Sequence, residues 1–68
     1  MEFSAIVEKE EDMYVAYCSE VGTTSQGSTI EEAMKNLEEA TSLYILEFGF
    51  KRHSRPILTT FGIKNVKA

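Results

Sequence analysis

The chain has no tryptophan, one cysteine, one proline and one histidine, and no aspartate or glutamate beyond Glu47. A single cysteine, Cys18, excludes an internal disulfide. Together with the lone His53 it also falls short of a structural zinc site, which takes about four such ligands. No apolar run approaches the roughly 18 residues of a membrane span, and no N-terminal stretch resembles a signal peptide. A cytoplasmic protein with a reduced, packed Cys18 is therefore expected, without metal or cofactor. Repeats and low-complexity segments are also missing. The 68 residues make one domain, 1–68. A domain of that size buries only about 60% of the surface its unfolded chain exposes. With disulfide and metal excluded, self-association is the remaining way to supplement so small a core.

What is present is a charge asymmetry. Residues 1–50 carry all 11 acids and only Lys9 and Lys35, a balance of −9. Residues 51–68 carry Lys51, Arg52, Arg55, Lys64 and Lys67 and no acid, a balance of +5. An acidic body repels nucleic-acid phosphates and favours a basic partner.

Hydrophobic periodicity orders the chain. From Glu2 to Glu8, Phe3, Ala5 and Val7 alternate with polar neighbours and Ile6, the pattern of a half-buried strand. Lys9-Glu10-Glu11-Asp12 is a charged turn. Met13 to Cys18 is a second strand in which Val15 and Tyr17 oppose Tyr14, Ala16 and Cys18. Ser19-Glu20-Val21-Gly22 breaks it, and Thr23 to Gln26 suits a short, polar edge strand. Gly27 then offers backbone freedom for a turn into a helix. Ser28 and Thr29 are each followed three residues later by a glutamate, Glu31 and Glu32, so two overlapping capping boxes are available. The helix is predicted over Ile30–Phe48. Its core stripe would be Ile30, Ala33, Met34, Leu37, Ala40, Tyr44, Ile45 and Phe48, with Gly49 past the end. A basic connector, Phe50 to Pro56, leads to a last strand over Ile57–Val66. The expected fold is α+β, a small antiparallel sheet with one long helix packed on one face, in the order β-β-β-α-β.

The run Tyr14-Val15-Ala16-Tyr17-Cys18 resembles the HicB-like antitoxin family. So does Gln26-Gly27-Ser28-Thr29-Ile30-Glu31-Glu32-Ala33, continued by Asn36-Leu37 and Glu39-Ala40. The match extends over about residues 2–48 and covers several spaced identities in the right order. The resemblance implies a partial ribonuclease-H-like layer. It also implies neutralisation of a HicA-type toxin, a small basic ribonuclease that cleaves mRNA, by covering its active site. Many family members continue into a DNA-binding module. The sequence to Ala68 holds none, so direct DNA binding is not expected.

Chemistry of its own is not expected from this chain. A two-metal nuclease needs carboxylates converging from strand centres and helix. The strands offer only Glu2 and Glu8, near the ends of the first. His53 lies among Lys51, Arg52 and Arg55, cations that disfavour its protonated form, and no nucleophile elbow or phosphate-binding glycine loop accompanies it. Glu31, Glu32, Glu38 and Glu39, off the core stripe, suit either a solvated face or a surface for a basic toxin. Leu43 and Leu46, on the far side of the helix, favour a contact surface. Lys51, Arg52 and Arg55 suit a solvated connector or an ionic contact with an acidic body. In a second reading they bind RNA or a ligand, and the domain is a stand-alone binding module. Apolar residues on both sheet faces predict a homodimer, or a dimer of dimers. The uncovered sheet face or the last strand, through Ile57, Phe61 and Ile63, would form the contact.

Overall fold

A computed structural model describes residues 2–51 and 56–65. Three strands, β1 (Ala5–Glu10), β2 (Met13–Cys18) and β3 (Thr24–Gly27), precede one helix, α1 (Ile30–Phe48). They form an antiparallel sheet in the order β1-β2-β3. The fold is α+β, as the pattern predicts, but its described order is β-β-β-α.

The hairpin register pairs Ala5 with Cys18, Val7 with Ala16 and Glu10 with Met13. Because side chains alternate, Ala5, Val7, Tyr14, Ala16 and Cys18 share the sheet face that meets the helix. Ile6, Val15 and Tyr17 share the outer face. The turn leaves Glu11 at φ 56°, a left-handed conformation that glycine would adopt at lower cost. A second tight connection follows β2. The N–H of Cys18 donates to the Thr23 carbonyl at 2.9 Å, and the Gly22 N–H donates to the Cys18 carbonyl at 2.8 Å.

The buried core is small: Ala16, Cys18, Ala33 and Leu37, with Phe3, Val7, Tyr14 and Val21 packed around it. Thr41 is buried too, and its hydroxyl shares a 2.6 Å hydrogen bond with that of Thr23. The expected helix stripe is therefore only partly buried. Ala33 and Leu37 face the core, whereas Ile30, Met34, Tyr44 and Phe48 stay exposed. Length explains three of these. A helix of 19 residues is about 28 Å long, against about 20 Å for a six-residue strand, so α1 is longer than the sheet it packs on. Ile30 is its first residue. Tyr44 and Phe48 lie in its last turns and pack on each other, with ring centroids 4.9 Å apart.

Gly27 has a role other than the expected one. Its φ is not positive, so no special turn conformation is involved. A Cβ there would come within 2.6 Å of the Ala33 backbone nitrogen and 2.9 Å of the Glu32 carbonyl carbon. The missing side chain lets β3 lie directly against the first turn of α1.

The last strand expected over Ile57–Val66 does not form. Residues 56–65 belong to no strand, and Val66 lies outside the described residues. A β-prone segment needs an edge to pair with, and among the described residues none accepts this one. Ile57, Phe61 and Ile63 are accordingly exposed.

Candidate functional site

The geometry of α1 starts at its cap. Thr29 is the N-cap residue, and its Oγ1 accepts from the Glu32 N–H at 3.0 Å. Glu32 reaches back, its Oε1 accepting from the Ser28 N–H at 2.7 Å and from the Ser28 hydroxyl at 3.3 Å. Of the two possible caps, Thr29 to Glu32 is the one formed, with the return bond of Glu32 going to Ser28 and not to the Thr29 N–H, and Glu31 is left outside. At the other end, the Gly49 N–H donates to the Ile45 carbonyl at 2.7 Å, with Gly49 at φ 77°. One further bond, from Asn36 Nδ2 to the Gln26 carbonyl at 2.8 Å, fixes the helix along β3.

With its rotation fixed in this way, α1 lies over β3 and β2 and scarcely reaches β1. The six helix residues expected to meet a partner then divide between two surfaces. At 100° per residue, Glu32, Glu39, Leu43 and Leu46 fall on the side away from Leu37. All four are exposed, Leu43 by 65% and Leu46 by 84%. Glu32 is committed to the cap, so Glu39 is the acid on this face with no role in the helix start. Glu31 and Glu38 instead turn toward the uncovered part of the sheet.

There they border a groove of about 720 Å³ between β1 and α1. Phe3, Ala5 and Cys18 line it from the sheet and Met34, Leu37 and Ile45 from the helix, with Glu31, Lys35 and Glu38 adding charge. The sequence pattern missed this groove. Its signal was present, in the small Ala5 paired with Cys18 on the helix-facing side.

Glu20 holds the entrance to β1. Its Oε1 and Oε2 both accept from the Ser4 N–H, at 2.8 and 2.9 Å, and Oε1 also accepts from the Cys18 Sγ at 3.5 Å. Desolvation pushes this carboxyl up. Hydrogen bonds from the N–H groups of Ser4 and of Glu20 itself, from the Ser4 side chain and from the Cys18 thiol outweigh it, so the carboxyl lies below its ordinary range. The Cys18 thiol is buried under this carboxylate. Beside it, the rings of Phe3 and Phe50 meet edge to face at 5.2 Å.

Lys51 is exposed, whereas Arg52, His53 and Arg55 lie outside the described residues. Among the described residues no three histidine, cysteine or carboxylate side chains gather where a metal ion could be held. No described helix is long and apolar enough to cross a membrane.

These features define a small α+β domain whose notable surfaces are an acidic, leucine-bearing helix face and an open apolar groove. The chain is similar to a UPF0150 protein of Helicobacter pylori, with 41% identity over 46 residues. That alignment takes in 66% of this chain and 64% of the relative, so the chain spans a little under two thirds of the relative's length. No family model matches the chain, and no solved structure matches it.

Proposed function

We propose that the chain is an antitoxin of the HicB-like kind, a stoichiometric inhibitor and not an enzyme. It binds a small basic mRNA-cleaving toxin of the HicA type and covers that toxin's active site. The observation that carries this reading is the outer face of α1, where Leu43 and Leu46 stand 65% and 84% exposed beside the Glu39 carboxylate. Apolar groups anchor an interface and the carboxylates select a basic partner, since like-charged competitors are repelled. The body's balance of −9 extends that selection to the encounter. The spaced identities between Tyr14 and Ala40 support a HicB-like reading, and the similarity to a UPF0150 protein is compatible with it.

The test is co-expression with the product of the adjacent gene, if that neighbour encodes a small basic protein. The natural chain should relieve the growth arrest that protein causes and co-purify with it. A Leu43→Asp, Leu46→Asp double variant keeps the buried residues of α1 and should lose at least tenfold in affinity. Persistent arrest with no complex for the natural chain, or full binding by the double variant, would refute the reading.

A further inference from the structure

Four large apolar side chains of the segment after α1 have no cover: Ile57, Leu58, Phe61 and Ile63 are 71–87% exposed. The segment has the composition of a strand, with Pro56 ahead of it where a missing N–H does no harm. An apolar β-prone stretch left in water is an aggregation hazard unless something pairs with it. Meanwhile β1 is an edge strand with no neighbour on its outer side among the described residues, and the groove above it is open.

We infer that residues 56–65 of one copy lie along the β1 edge of a second copy and fill the groove between β1 and α1, the two copies exchanging segments reciprocally. The proposal does not depend on the toxin partner, because it uses the opposite flank of α1. Side-chain period fixes the fit. Ile57, Thr59, Phe61 and Ile63 fall on one face of an added strand and enter the groove against Ala5, Met34 and Ile45. Leu58 falls on the other face, beside Ile6, one of the exposed residues of the outer sheet surface.

Charge favours the same seating. The segment carries Lys64 and its flanks, 51–55 and 66–68, a further +4, while the charged border of the groove, Glu31, Lys35 and Glu38, is net −1 on a body of −9. The exchange is isologous and closes at two copies, which leaves no free edge at β1.

Sedimentation velocity on the full chain from 1 to 100 µM, paired with a Phe61→Asp, Ile63→Asp variant, tests the exchange. Both substituted residues lie outside the buried core, so the variant's body folds. The natural chain should be a dimer at tens of micromolar, and the variant should dissociate at least tenfold more readily. A mixture of isotopically labelled and unlabelled chains should give intermolecular nuclear Overhauser effects between Phe61 and Ala5 or Met34. The inference is overturned by a monomer at 100 µM, by a variant as dimeric as the natural chain, or by Phe61 contacts confined to its own chain.

Discussion

The two flanks of the sheet are built differently. On the β3 side, backbone meets backbone at Gly27, Asn36 bonds to the Gln26 carbonyl, and the hydroxyls of Thr23 and Thr41 join sheet loop to helix. On the β1 side, the Glu20 carboxylate holds Ser4, Phe3 meets Phe50, and a groove remains where the helix does not reach. Among the described residues, a core of four buried apolar side chains cannot hold both flanks equally. The fold concentrates its fastening on one side and leaves the other open.

The largest expected effect breaks the fastened side. Gly27→Ala places a Cβ against backbone atoms that cannot rotate away, so β3 and the first turn of α1 must separate. We expect a loss toward the upper end of about 1–3 kcal/mol, the usual range for overpacking. Ala5→Val on the open flank should stay within about 0.5 kcal/mol when measured where the chain is monomeric. Denaturant unfolding of the two variants side by side measures the contrast, and equal losses would deny it.

A smaller effect sharpens the comparison at the β1 entrance. Because the folded Glu20 carboxyl lies below its ordinary range, it contributes stability above the unfolded glutamate value of about 4.3. That contribution fades as pH falls from there through the lower folded value. Glu20→Gln should therefore flatten the acid limb of a stability-against-pH curve below about pH 4.3 and leave its neutral shape unchanged. An acid limb as steep as that of the natural chain would show that the Ser4 and Cys18 bonds are not the cause.

Much of this arrangement could be read from the sequence because it depends on local rules. Alternation placed Ala16 and Cys18 inside. A charged turn made the hairpin, although Lys9 and Glu10 extend β1 and only Glu11 and Asp12 turn. Thr29 with Glu32 started the helix, and Gly49 ended it. What escaped depends on distances between elements. Gly27 looked like a turn residue because nothing in its neighbours says that Ala33 will lie against it. Tyr44 and Phe48 follow the helix period, but period does not say that the sheet ends before they do. Likewise, the division of Glu31 and Glu38 from Glu39, Leu43 and Leu46 needs the rotation of α1, which Asn36 and Thr41 set through tertiary contacts. The last strand expected over Ile57–Val66 fails to form for a related reason. Ile57 to Ile63 declare a strand without declaring which edge receives it.

Amide hydrogen exchange at increasing protein concentration tests the difference between the flanks most directly. The amides of β1, Ala5–Glu10, should gain protection as copies associate, while those of β3, Thr24–Gly27, should stay as protected as they are in the monomer. Protection of β1 that does not change between 1 and 100 µM would contradict the account.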